Sequence, residues 1–354
     1  MAATPAEAGP VRISKKKPKK KNTQSPRFKH DGTQISYEYV IPSKDEKGVT
    51  ICNADGKKCK NVEPDTGASA SGFDGSLPPV VVNGGVVGLV GHQPGYGQTR
   101  IENVPGDIMG FDARTGEFLW KFHVIPRPGE FGHETWENDA WMWSGDMSSW
   151  APASADPELG LVYIVTNAST VQSYTGHRPG DNLFGTSVIA LNADTGERVW
   201  HFQTVHNDQW NYDIPNVPII VDLDVDGRAV SAVVQTSKTG MIYAFDRESG
   251  EPIWPIEEKP VVQTVVPGNW TAETQPIPTR PESAEPFGPP EKDVIDFTPE
   301  MHAEALEIIS RYQVGGPFMP RLYDDHSTGF EDNIRCYGGL NITNPATLDP
   351  STGI

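Results

Sequence analysis

Cysteine is scarce in this chain: Cys52, Cys59 and Cys336 are the only three in 354 residues. No pair has the Cys-x-x-Cys spacing, which argues against a structural zinc site. Cys52 and Cys59 either bridge across a hairpin or remain free thiols. Long apolar runs are missing too. No stretch approaches the roughly 18 apolar residues of a membrane span, and the N-terminus lacks the apolar core of an export signal. Positive charge is in deficit, with 29 Lys and Arg against 47 Asp and Glu and a formal net charge of −18. That sign argues against nucleic acid or an anionic membrane as partner for the body of the chain. It suits solubility, or sites for a cation.

Turn formers and tryptophan are plentiful. Gly (35) and Pro (32) punctuate strand-like runs rather than forming low-complexity tracts, and nine Trp within a 36% hydrophobic composition provide for a substantial core. One unit recurs. In Val188–Trp200 an apolar alternating run ends at Leu191-Asn192, Asp194-Thr195-Gly196 makes a turn, and a short second strand ends in Trp200. Glycine supplies the positive φ that such a turn needs. The unit returns as Phe111–Trp120 and Phe245–Trp254. A degenerate copy lies at Asn53–Cys59 and a truncated one at Leu348–Ile354. Repeated hairpins with an aromatic at a fixed offset are a repeat-architecture signal.

Along the chain, residues 1–36 do not read as globular. The like-charge block Lys15–Lys21 repels itself and reads by default as a solvated tail; a nuclear or nucleic-acid patch and a frame artefact are the other readings. Tyr37, Tyr39, Val40 and Ile41 suggest a strand, and Asn83-Gly84 marks a hairpin between two Val-rich runs. Residues 124–149 form a Trp-rich insertion, and 255–297 a Pro-rich loop. One helix is expected: Thr298 caps it, Pro299 sits at its first position, and Met301, Ala305, Leu306 and Ile309 keep helical spacing. These features predict an all-β fold, a β-propeller with long loops and one short helix. The turn positions 112, 192, 246 and 349 are unevenly spaced, so the excess over about 40–50 residues per blade falls in insertions. About four blades fit. The expected division is a disordered basic leader over 1–47 and a partial propeller over 48–354.

With the repeats in view, the chain resembles the quinoprotein dehydrogenases that use pyrroloquinoline quinone (PQQ), in particular the membrane-bound glucose, quinate and polyol branch. The stretches that carry the resemblance are Pro105–Gly116, Pro128–Trp136, Ser154–Gly160, His177–Phe184, Val199–His206 and Trp254–Pro260. The match is dense from Pro79 to Tyr312, weaker over 48–78 and after Gly315, and absent over 1–47. The vicinal Cys-Cys pair of the methanol and ethanol branch is missing, in keeping with the sugar and polyol branch. The resemblance implies an eight-bladed ring, of which about half is present. It implies PQQ and calcium near the axis, hydride transfer from an alcohol or sugar, and a quinone as downstream electron acceptor. It also implies a periplasmic location.

Residue by residue, the resemblance points to Trp150 as the flat floor for the cofactor, against a packing role like that of other Trp residues. Lys238 falls at the position of the basic residue beside the quinone. Thr170, or nearby Asn167, falls where a polar ligand for PQQ or calcium is expected, and oxygen ligands suit a hard cation. The family's general base is the Asp directly after Trp in a His-x-Asp-x-Trp-Asp motif. This chain reads His206, Asp208, Trp210 and then Asn211. An amide is no base, and it removes a charge from the calcium site. Asp208 and Asp213 are near in sequence, but two or three residues of extended chain is about 7–10 Å. The loop Gly91–Gln98, with His92 and Gln93, carries no carboxylate where relatives place acidic or amide residues. Three readings follow: a PQQ-dependent dehydrogenase domain, a non-catalytic propeller scaffold or binding module, and a truncated fragment.

Overall fold

The computed structural model describes residues 22–28, 34–41, 46–53, 60–62, 79–89, 105–149, 151–170, 173–283, 294–322 and 333–335. Strands β1 (Asn22–Phe28), β2 (Gln34–Ile41), β3 (Glu46–Asn53) and β4 (Lys60–Val62) form an antiparallel four-stranded meander. Strands therefore occur inside the segment expected to be a disordered leader, and the boundary expected at residue 47 runs through β3. The strand suggested by Tyr37, Tyr39, Val40 and Ile41 forms as β2. The Lys15–Lys21 block, the degenerate and truncated repeats beyond Asn53 and at Leu348–Ile354, and the Gly91–Gln98 loop lie outside the described residues. So do Cys59 and Cys336.

Two more four-stranded meanders follow. The first comprises β5 (Val80–Val82), β6 (Gly85–Leu89), β7 (Ile108–Asp112) and β8 (Phe118–Phe122). The second comprises β9 (Ser154–Asp156), β10 (Leu161–Val165), β11 (Ser187–Asn192) and β12 (Arg198–Gln203). A third sheet pairs β13 (Ile219–Val225), β14 (Arg228–Thr236) and β15 (Ile242–Asp246), and a Phe245–Pro252 bridge begins its fourth strand. Then come the pair β16 (Ile256–Pro260) and β17 (Thr274–Pro278), helix α1 (Pro299–Ile309), and the parallel pair β18 (Gln313–Gly315) and β19 (Asn333–Arg335). The hairpin at Asn83-Gly84 forms as expected, with φ of 50° and 85°, values that Asn and Gly tolerate best. Helix α1 has the expected cap: the Thr298 side chain accepts from Met301 N at 3.2 Å. It buries none of its residues, so it is an excursion from the sheets.

The first strands of three successive sheets are neighbours, β5 beside β9 and β9 beside β13. This is a β-propeller arrangement. The middle sheet is covered on both faces, which is why β10 is buried along its whole length and reads as an unbroken apolar run. Val162 and Ile164 face one core with Val87, Ile108 and Trp120. Tyr163 and Val165 face the other with Val233, Tyr243 and Phe245. Each such side chain contributes about 1.5–3 kcal/mol on burial.

The recurring decapeptide builds both turn and interface. Asp112 Oδ1 accepts from the backbone N–H of Arg114 and Thr115 at 2.9 and 2.7 Å. Asn192 Oδ1 does the same for Asp194 and Thr195 at 2.9 and 3.0 Å, and Asp246 Oδ1 for Glu248 and Ser249 at 3.1 and 2.8 Å. These donors, Thr115 first, hold the Asp112 carboxyl below its ordinary range. Gly116, Gly196 and Gly250 close the turns at φ of 69°, 73° and 75°. The tryptophan of one repeat then reaches the turn of the next. Trp120 Nε1 donates to Ala193 O at 3.0 Å and Trp200 Nε1 to Arg247 O at 3.2 Å. A Cβ on Gly196 would overlap the Trp120 ring, and one on Gly250 the Trp200 ring.

Gly196→Ala is therefore expected to destabilise the protein by about 2–4 kcal/mol, from the left-handed backbone and the overpacked ring together. Denaturant unfolding of the two proteins checks this. A loss below ~0.5 kcal/mol, the usual range of surface changes, would mean the Trp120 contact does not set the sheet spacing.

Candidate functional site

In these meanders the second-to-third-strand loops and the loops between sheets emerge at the same end. Four of them converge there: 123–153, 166–186, 204–218 and 237–241. They hold the sequence-predicted site residues that the structure describes: Asn167, Thr170, Asp208, Asn211, Asp213 and Lys238.

At the centre is a buried ion pair. Lys238 Nζ lies 2.8 Å from Asp213 Oδ2, with side-chain exposures of 10% and 9%. The same ammonium donates to the Asn211 backbone carbonyl at 3.1 Å. The other Asp213 oxygen accepts from Ala168 N at 2.9 Å. One carboxylate thus ties three loops together. Taking two charges out of water costs several kcal/mol each, and the paired geometry offsets this only while both partners are present.

Asn167 precedes Ala168, and its backbone bonds to Ser148 and Thr186 (3.2 and 3.0 Å). Its side-chain Oδ1 is buried without a hydrogen-bond partner. An unmet buried carbonyl is costly and is a fitting acceptor for a donor or a cation. Thr170, on the same loop, is buried with its hydroxyl turned to Gly145 O at 3.3 Å. Trp150 lies outside the described residues; its neighbours Ser149 and Ala151 are buried.

Asp208 faces inward and serves the backbone. Its Oδ1 accepts from Trp210 N at 2.8 Å, and its Oδ2 from Tyr212 N at 2.7 Å and Thr186 Oγ1 at 3.0 Å. Burial pushes its carboxyl upward, the nearby Asp213 charge adds to this, and the two N–H donors oppose it. Asn211 sits between the two donated amides. It is exposed, in the left-handed region at φ 66°, which Asn occupies more readily than most residues. Its backbone carbonyl turns inward to Lys238.

Arg178 is the functional-loop residue that the sequence did not single out for a role. It is fully buried and donates to Asn182 Oδ1 at 2.6 Å and to the Asp208 carbonyl. Burial pushes its guanidinium down to about 10, with the Asp208 charge opposing. Asn207 joins the knot, its Nδ2 donating to Arg178 O and Gly180 O at 3.0 and 2.7 Å. The available signal was Arg178 before Pro179-Gly180 in a loop, where a cation has no routine reason to be buried. The structure joins Asn211, Asp213 and Lys238 directly and ties Asp213 to Ala168, the residue after Asn167. It turns the Asp208 carboxylate to two backbone N–H groups and the Thr186 hydroxyl, and the Thr170 hydroxyl to the Gly145 carbonyl. Among the described residues no group of three or more His, Cys, Asp and Glu could hold a metal. A cation here would depend on amide, hydroxyl and carbonyl oxygens, which suits calcium better than a transition metal.

Comparison with known proteins agrees with this architecture. The chain is 34% identical over 298 residues to the glycerol dehydrogenase large subunit of Gluconobacter oxydans (strain 621H), covering 83% of this chain and 39% of that protein. It is 33% identical over 251 residues to the quinoprotein glucose dehydrogenase of Escherichia coli (strain K12), covering 67% and 30%. The chain thus spans between 30% and 39% of the length of these relatives. A solved europium-containing methanol dehydrogenase matches at a TM-score of 0.58 and 19% identity, over 93% of this chain and 50% of that one, a likeness of fold. The family model "PQQ: Glucose/ethanol/alcohol dehydrogenase, beta-propeller domain" matches residues 57–354. On that match, with the repeats and sheets that underlie it, this chain belongs to the PQQ glucose/ethanol/alcohol dehydrogenase β-propeller family.

Proposed function

We propose that this is a quinoprotein dehydrogenase-like domain that binds PQQ where Asn167, Asn211 and Lys238 converge. Its substrate would be an alcohol, sugar or polyol, and a quinone its downstream electron acceptor. The observation that carries this reading is the buried Lys238 ammonium, fixed by Asp213 and the Asn211 carbonyl, with the unmet Asn167 Oδ1 on the loop that Asp213 binds through Ala168 N. When bound, PQQ supplies the group that accepts hydride from the alcohol carbon.

The chain's own residues have distinct parts. Lys238 offers positive charge toward a quinone oxygen or carboxylate, and Asp213 holds that charge in place. Asn167 offers an amide oxygen to calcium or to a polar edge of PQQ. Thr170 joins it as a ligand only by releasing Gly145 O. Trp150 would provide the stacking floor, as the resemblance implies. The periplasm is the proposed location on the same ground; no helix among the described residues is long and apolar enough to cross a membrane.

Proton removal is where this chain departs from its family. Asn211 has no basicity to offer. Asp213 is engaged at both oxygens by Lys238 and Ala168 N, and Asp208 by Trp210 N, Tyr212 N and Thr186. These engaged carboxylates favour a second reading, a propeller that holds the cofactor without turnover.

Two experiments test these readings. Asp213→Asn alone strands the buried ammonium and is expected to cost about 3–5 kcal/mol of stability. Asp213→Asn with Lys238→Met removes both charges, recovers most of that loss, and lowers PQQ affinity about tenfold or more, as equilibrium dialysis would measure. Unchanged affinity in the double variant would assign the pair to the fold alone. Asn211→Asp is expected to raise dye-linked alcohol oxidation by the PQQ-loaded protein about 10²–10⁴-fold, the usual worth of a placed base. No gain would leave the non-catalytic reading standing.

A further inference from the structure

A fifth segment holds two of the site loops together. β16 and β17 are joined by a loop over 261–273, within the stretch that composition marks only as Pro-rich. This hairpin takes two holds on the segment that leads to Asn211. The first is on backbone: Gln275 on β17, fully buried, accepts from His206 N through Oε1 and donates to His206 O through Nε2, each at 2.8 Å. The second is on a side chain. Gln209, buried next to Asp208 in the chain, donates through Nε2 to Thr271 Oγ1 at 2.9 Å and accepts through Oε1 from Asn269 Nδ2 at 3.2 Å.

The same Asn269 carboxamide reaches a second loop. Its Oδ1 accepts from Thr175 N at 2.7 Å, and Thr175 Oγ1 donates to Trp270 O at 2.6 Å. Thr175 lies on the 166–186 loop, which carries Asn167 and Thr170. Backbone meets backbone at this point: a Cβ on Gly176 would overlap the Gly268 carbonyl. Gln209 and Thr175 are both buried, and buried polar groups keep their hydrogen bonds. The partner these two share is the Asn269 side chain.

The bonds along the 208–212 bend divide its support. Asp208 closes the bend on itself through Trp210 N and Tyr212 N and ties it to Thr186. Gln209 ties it to the hairpin. We propose that Asn269 is a positioning residue of the cofactor site, an assignment that rests on the reading of that site given above. Through Gln209 it sets the bend whose Asn211 carbonyl meets Lys238, and through Thr175 it sets the loop bearing Asn167. It acts on both at once, so its loss displaces the partners of the Lys238 ammonium while the sheets remain.

The Lys238 ammonium reports on this without cofactor. In protein carrying isotope-labelled lysine, its side-chain nitrogen resonance is assigned by its absence from Lys238→Arg. Asn269→Ala is expected to shift that resonance and to speed its exchange with solvent, with the β-sheet circular dichroism spectrum unchanged. Gln209→Ala should shift it the same way, and adding Asn269→Ala to Gln209→Ala should change it little further, as members of one network do. An unmoved ammonium in folded Asn269→Ala, even at a lower urea midpoint, would make Asn269 a fastening of the hairpin and overturn the proposal. Where Asn269→Ala fails to fold, Asn269→Ser, which leaves room for water at the lost contacts, is read in its place. The PQQ dissociation constant should rise about tenfold or more in Asn269→Ala, the usual cost of losing a group that orients a ligand; an unchanged constant likewise overturns the proposal. A parent chain that binds no PQQ overturns the cofactor reading alone, and the ammonium still decides the part played by Asn269.

Discussion

A tryptophan ring pressed against the glycine of the next repeat's turn sets the geometry on which everything else in this molecule rests. The turn must run tight enough to present glycine, which requires a left-handed backbone and an Asp or Asn side chain to satisfy the two N–H groups of the bend. The indole must then find the carbonyl three residues before that glycine. Trp120 with Gly196, and Trp200 with Gly250, meet all of these conditions. The spacing so fixed decides how the loops at the other end converge, and the site is built from those loops.

At that end, the chain gives substantial buried polarity to a single short segment. Asp208 binds the amides on both sides of position 211, and Arg178 and Asn207 lock Asp208 from behind. The result is a rigid cradle that holds residue 211 outward with its carbonyl turned in to Lys238. The cradle is intact although its central residue is an amide. The scaffold that holds position 211 and the Lys238 ammonium beside its carbonyl are both present, and the side chain held there is an amide.

Much of the fold was legible because its signals are local. The turns that run from Asp or Asn through Thr or Ser to Gly, the Asn83-Gly84 hairpin and the Thr298-Pro299 helix start each follow from the φ or hydrogen-bonding habit of one or two residues. The strand around Tyr37–Ile41 was legible from its aromatic and β-branched residues, whereas that at Asn22–Phe28 was not, because its polar, basic composition carries no strand signal. Within the site, Lys238 and Asn211 could be placed by motif. That Asp213 is the partner of Lys238 could not, since the pairing joins loops 25 residues apart and depends on how the sheets stack. The inward turn of Asp208 was likewise invisible, because the same residue type serves equally as a base, a metal ligand or a backbone acceptor. Arg178 was missed because a loop arginine is ordinarily solvated, and only the packed loops reveal its burial.

Whether this cradle still receives its cofactor is the question the account stands on. The most direct measurement is a titration of the purified chain with PQQ, with and without calcium, followed by tryptophan fluorescence. The account predicts saturable quenching that strengthens when calcium is present. An unresponsive protein with a folded β-sheet circular dichroism spectrum would contradict it, and would leave the buried Lys238–Asp213 pair as a fastening between loops.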